Sequence, residues 1–197
     1  MPSNRHSFVR AICASAWLLL ACCADSGNAL GTLPNPDGRT FVRDVYPILL
    51  RDCAFSACHG SESRFLRVVG PGRPRLDPSA VEVTDPMLYE EVLFSYDRAR
   101  SLLASTGAVT ESLLLTKPLE FSAGGQGHRG ADDYGRNVYT STADPSLLVL
   151  MRWAQSVGTP PTEGDVNAAV ERAESAEAQF DQHFSSEAAD AANADDQ

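Results

Sequence analysis

The chain has 197 residues, 26 acidic against 16 basic side chains and a net charge of −10. Lys117 is its only lysine, and no basic stripe exists that could neutralise a run of phosphates, so nucleic-acid binding is excluded as a function class. No Ser/His/Asp set, paired carboxylates or phosphate-binding glycine loop stands out, which leaves hydrolase and phosphotransferase chemistry without a basis.

In chain order, the first ten residues carry Arg5 and Arg10 and no acid, and an apolar run follows from Ala11 to Ala21. A basic start and a short apolar stretch read as a secretion signal, and the run is too short to span a bilayer. Its end, Leu19-Leu20-Ala21-Cys22, resembles a bacterial lipobox. That implies cleavage before Cys22 and lipidation of Cys22, which holds the chain on a membrane through its acyl chains. Residue 23 is Cys rather than the Asp that retains lipoproteins at the inner membrane, which favours the outer membrane. Loss of the leader moves the net charge from −10 to −12. Residues 22–38, rich in Gly, Asn, Asp and Pro, read as a tether reaching roughly 20 Å.

A helical pattern begins at Thr40. Phe41, Val45, Ile48 and Leu49 fall on one face, and Pro47 inside the pattern predicts a kink or break before the run reaches Cys53. A second helix is expected to open at Asp85-Pro86, with Leu88, Val92, Tyr96, Ala99 and Leu103 as its buried stripe. Residues 119–143 read as glycine-rich loop. A third helix opens at Asp144-Pro145, carries Leu147, Leu148, Met151, Trp153 and Ala154, and stops near Gly158. The segment from Thr162 holds ten acids against Arg172 alone and reads as a solvated, largely disordered tail. No run alternates as a sheet would, so the expected fold class is all-α: a small helical domain over 39–161 with long loops.

The chemistry concentrates in Cys53-Ala54-Phe55-Ser56-Ala57-Cys58-His59-Gly60. Two cysteines followed at once by a histidine form the haem-attachment pattern: two thiols link to the porphyrin and the imidazole becomes the proximal iron ligand. Here four residues separate the cysteines where two are usual, so the segment must bulge to bring both sulfurs to one ring edge. A disulfide, a pair of buried thiols, or a zinc site with an unidentified fourth ligand are the other readings of these residues.

The span from Phe41 to Trp153 resembles the cytochrome c-like domains of exported bacterial lipoproteins. The matching pieces, in order, are Phe41 with Val45-Tyr46-Pro47-Ile48-Leu49, then Cys58-His59-Gly60, then Ser112 to Leu119. Gly124-Gly125-Gln126-Gly127-His128 and a last helix with Trp153 complete them. The resemblance implies a small helical cytochrome c fold, with the first and last helices packed together, and one haem c held by Cys53, Cys58 and His59.

A second axial ligand is sought among the remaining histidines. His6 lies in the leader and His183 in the acidic tail, which leaves His128 in the glycine-rich loop. Met87 and Met151 are the rival ligands, and an open iron is the third option. Lys117, Arg129 and Arg136 are the basic side chains available to a haem propionate, and Phe41, Phe55 and Trp153 read as core, with Phe55 a candidate to lie against the ring. The implied function is a membrane-tethered electron carrier rather than an enzyme, meeting redox partners with basic docking faces. A haem protein with a catalytic or sensory open iron, and a haem-free disulfide-stabilised surface lipoprotein, are the alternatives.

Overall fold

The computed structural model describes residues 33–103, 107–128 and 138–194. Cys22, Cys23, the leader and most of the tether lie outside the described residues, as do Arg129 and Arg136. The described chain is all-α: it contains no strand, and its only extended pairing is an isolated bridge between Leu119 and Tyr139. No helix among the described residues is long and apolar enough to cross a membrane.

The first helical run spans 38–52 in three pieces: α1 (Gly38–Thr40), a π-helical turn (Phe41–Val45) and α2 (Tyr46–Asp52). The kink expected at Pro47 is instead this widened turn. Proline cannot donate to a carbonyl four residues back, and its ring would collide with that carbonyl. Lengthening the preceding turn, with Tyr46 N–H donating to Phe41 O, makes room for the ring and keeps the helix going.

Helix α3 covers Tyr89–Ser101, starting later than the expected Asp85-Pro86. The carbonyls of Glu82, Asp85 and Pro86 turn inward to accept hydrogen bonds from Arg75, at 2.7, 2.9 and 3.1 Å. Those bonds fix the segment as a loop wrapped around one guanidinium. The buried stripe of α3 includes Val92, Tyr96 and Ala99 as expected, but also Glu91 and Ser95, while Leu88 is half-buried. Glu91 is there to pair with Arg75, Nη2 to Oε2 at 2.7 Å, both side chains almost fully buried.

A short α4 (Leu113–Thr116) follows, then α5 (Pro145–Ala154). The start of α5 matches the expectation: Asp144 caps it by accepting from Ser146 N–H and Leu147 N–H, with Pro145 at its first position. Its buried face is Leu147, Leu150, Trp153 and Ala154, whereas Leu148 is 41% exposed and Met151 only half-buried.

The first helical run and α5 meet through Phe41 and Trp153, ring centroids 5.2 Å apart, with Tyr96 of α3 edge-on to Phe41 at 5.3 Å. Residues 35–38 are stitched to 156–159 at this end: Gly38 N–H donates to Thr159 O, Gly158 N–H to Asn35 O, and Trp153 Nε1–H to Asp37 O.

The tail expected to be disordered is a helix, α6 (Glu163–Ala194). Thr162 and Asp165 cap it reciprocally: Thr162 Oγ1–H donates to Asp165 Oδ2 and Asp165 N–H to Thr162 Oγ1. Val166, 2% exposed, packs its first turn onto the core. Alanine and glutamate then carry the helix onward by propensity alone, with exposed side chains from Glu171 through Phe180.

Candidate functional site

Helix α2 ends where the Cys53–His59 segment begins. Cys53 N–H and Ala54 N–H both donate to Leu49 O, so the last turn widens and the chain leaves the helical path. Phe55, Ser56 and Ala57 then form an exposed outward turn, closed by Cys58 N–H to Phe55 O and His59 N–H to Cys53 O. The extra residues between the cysteines therefore bulge to solvent, and Cys53 and Cys58 return to the same wall of one pocket. Both are free thiols.

Gly60 completes the turn. A Cβ there would stand 2.6 Å from Ala54 O and 2.9 Å from Pro74 Cγ, so only glycine permits this closure. Phe55, expected in the core, is 47% exposed and lies under the Arg73 guanidinium at 4.1 Å. An apolar side chain in the middle of an outward bulge has no route to the interior, and stacking on arginine covers one of its faces.

The pocket opens between α2, the segment after it, α4, Pro118, His128, Val138, Tyr139 and α5. Its enclosed volume is about 70 Å³, well below the about 300–1,000 Å³ of small-molecule sites. Leu49 comes from α2, Leu114 from α4 and Leu150 from α5, while Leu66, Leu102 and Pro118 add further apolar wall. The polar exceptions are Asp52, Tyr139, the two thiols and two histidines.

Those histidines are His59 and His128, far apart in sequence and adjacent here, with ring centroids 5.7 Å apart and planes inclined by 48°. The His59 ring is oriented from behind. Its Nδ1 lies 2.8 Å from Leu66 O, and a carbonyl can only accept, so Nδ1 carries the proton and Nε2 keeps its lone pair. His128 arrives on the loop that follows α4. Gln126 N–H bonds Thr116 O, and Gly125 N–H bonds Glu120 O. Gly125 has no room for a Cβ, which would overlap Leu119 O. Met87 and Met151 both pack at the edge of the core, and neither lines the pocket.

Burial lowers the pKa of both imidazoles. For His59 the Leu66 carbonyl pulls back up by less than burial lowers, and His128 and Arg64 add smaller downward pushes. Lys117 and Arg64 act in the same downward sense on His128. Both rings are thus held neutral at pH 7, the form that donates a lone pair to a metal. Burial also pushes the Cys53 thiol up to about 12, with Asp52 and Cys58 adding to it. Tyr139 is raised in the same way, first by burial, and its hydroxyl donates to Asp52 Oδ2 at 3.2 Å.

Leu66, Tyr139, Asp52 and Arg64 were not singled out in the sequence. Leu66 acts through its carbonyl, which no residue pattern announces, and the other three acquire their place from the loops around the pocket. Among the described residues no group of three or more His, Cys, Asp or Glu side chains is gathered closely enough to hold a bare metal ion. No protein-family profile, curated protein or solved structure matches the chain.

Proposed function

We propose that this chain is a membrane-tethered c-type cytochrome, carrying one covalent haem and passing single electrons between periplasmic or surface redox partners. The observation that carries the reading is the closeness of the His59 and His128 rings in an apolar pocket also lined by Cys53 and Cys58. Two imidazoles on opposite sides of one metal, each nitrogen about 2 Å from it, have ring centres about 6 Å apart. The observed 5.7 Å fits that arrangement. A structural zinc ion takes four protein ligands and a catalytic one three, and among the described residues no three His, Cys, Asp or Glu side chains are gathered closely enough to serve, whereas iron in a porphyrin takes two.

The haem iron would supply the one-electron change between its ferric and ferrous forms. The chain's residues do the rest. The Cys53 and Cys58 thiols would hold the haem covalently, each by adding S–H across a vinyl double bond, an addition that retains both hydrogens and oxidises nothing. His59, with Nδ1 pinned by Leu66 O, presents Nε2 in a fixed direction. Leu49, Leu114 and Leu150 keep water from the ring and so tune the potential. Lipid on Cys22 would confine the carrier to the outer membrane, and the acidic balance of the chain favours partners with basic docking faces.

The test is export of the full chain in cells with a cytochrome c maturation system, followed by haem staining of a denaturing gel and optical spectra. The expected result is covalent haem with low-spin bis-histidine spectra. His128→Ala should keep the covalent haem, because attachment does not use it, and convert the iron to a high-spin form that binds added imidazole. Absence of covalent haem from the unaltered chain rejects the reading. A far-red methionine–iron band in the ferric protein rejects His128 as the sixth ligand.

A further inference from the structure

The four-residue spacing poses a geometric problem. Two cysteines three positions apart share one face of a helix, about 60° from each other, and can reach one ring edge with little departure from helical backbone. Five positions apart they stand about 140° around the helix and face different ways. Helix α2 runs directly into Cys53, and the following Ala-Phe-Ser-Ala would let it continue. Something must stop it.

We propose that Arg73 is the residue that makes this spacing workable: it terminates α2 and holds the Cys53–Cys58 segment as an outward loop. Its Nε–H donates to Leu50 O at 2.7 Å and its Nη2 lies 3.5 Å from Arg51 O. In a continuing helix those carbonyls would accept from Ala54 N–H and Phe55 N–H. With Leu50 O taken, Ala54 N–H falls back to Leu49 O. The same guanidinium covers the ring of Phe55, the first residue of the bulge, at 4.1 Å. Arg73 is itself fixed in a turn, with Arg73 N–H donating to Gly70 O, and the adjoining Pro74 packs against Gly60 on the far side of the loop. One side chain thus caps the helix before the first cysteine and clamps the bulge after it. Arg73 touches no pocket atom, and it acts by positioning the two thiols.

The role of the thiols rests on the cytochrome reading, but the helix break does not, and the experiment separates them. The full chain is exported with the maturation system unaltered, as Arg73→Ala, and as Arg73→Ala with Ser56 and Ala57 deleted. Free thiol is counted by alkylation after denaturation and mass spectrometry. The unaltered chain should have both thiols linked. Arg73→Ala should show about a tenfold rise in molecules linked through Cys58 alone, the scale set by one lost charge-assisted hydrogen bond. Deletion of Ser56 and Ala57 should restore double linkage, since the cysteines then share a helical face and need no break. A merely destabilising change would not be rescued this way. Equal double linkage with and without Arg73, or no rescue by the deletion, overturns the proposal. Arg73→Lys, which keeps the charge but loses the fork, gives the same comparison in milder form.

Amide exchange on the apoprotein decides the helix break without any haem. Phe55 N–H should exchange at least about tenfold more slowly in Arg73→Ala, as α2 grows and Arg51 O accepts from it. Unchanged exchange overturns the role of Arg73 whether or not the chain carries haem, whereas an unaltered chain without haem overturns only the cytochrome reading.

Discussion

Replacing Arg75 by methionine should unfold this protein far more readily than removing any other single charge. Arg75 and Glu91 are each about 1% exposed at the side chain. The guanidinium donates to both Glu91 oxygens and to the carbonyls of Glu82, Asp85 and Pro86. Glu91 Oε1 also accepts from Leu76 N–H at 2.9 Å. Arg75→Met leaves a carboxylate in a dry site and three carbonyls without donors. Breaking a buried pair from one side costs about 3–5 kcal/mol. At about 2–4 °C per kcal/mol for a chain of this size, the melting temperature should fall by about 6–20 °C. Removing both charges, Arg75→Met with Glu91→Leu, should recover most of that loss. What stays unpaired is then three loop carbonyls within reach of water and one amide, worth about 1–3 kcal/mol in all. Thermal unfolding of the full-length apoprotein, followed by far-ultraviolet circular dichroism, gives all three values. A single substitution costing under about 1 kcal/mol would refute the assignment of this pair as the anchor of the 75–91 segment. A double variant as unstable as the single would refute the stranded carboxylate as the cause.

Two further outcomes are expected. Gly60→Ala places a Cβ 2.6 Å from Ala54 O and 3.0 Å from Phe55 O, backbone atoms that no rotamer change can clear. It should cost about 1–3 kcal/mol in thermal melts and reduce double thioether formation in the exported protein. Asp165 is held below the usual carboxylate range, first by its hydrogen bond from Thr162, with Arg39 adding to it. A depressed folded-state pKa contributes stability above the unfolded value of about 4 and loses it as pH falls through the folded value. Helix α6 should therefore loosen from the core below about pH 4, read as loss of helical signal. In Asp165→Asn that acid step should flatten.

The same two-residue signal, Asp followed by Pro, was read twice in the sequence as a helix start, and it succeeded once. At Asp144-Pro145 the signal and the structure agree because capping is local: the Asp144 carboxylate reaches Ser146 N–H and Leu147 N–H with no outside competitor. At Asp85-Pro86 a buried arginine ten residues upstream took the carbonyls, and the helix begins at Tyr89. Arg75 lies outside every predicted element, and Glu91 is a charged residue on the buried face of its helix. Local grammar predicts an element only where no long-range polar partner competes for its backbone. The tail shows the reverse case. Its composition argued against a core, and Glu171 through Phe180 are exposed, yet Val166 and a capping box sufficed to seat the first turn, after which Ala-rich sequence propagates the helix.

For the candidate site, the residue types were legible and the geometry was not. Elimination among four histidines leaves His128 opposite His59 on paper. Their approach to 5.7 Å depends on the Leu66 carbonyl behind one ring and the Gly125 contact behind the other loop. Neither leaves a trace in side-chain pattern, since one is a backbone oxygen and the other is the absence of a Cβ. The spacing between Cys53 and Cys58 was the feature that fitted the cytochrome resemblance least. In physical terms it is a problem of helix termination. A helix that ran on would separate the thiols by more than a quarter turn, and the loop that reunites them needs its carbonyls answered from outside. The answer comes from Arg73, in a turn whose glycines and prolines had marked it only as irregular. A motif widened by two residues therefore has to be judged together with the residue that breaks the helix ahead of it, and in this chain that residue is fourteen positions beyond His59.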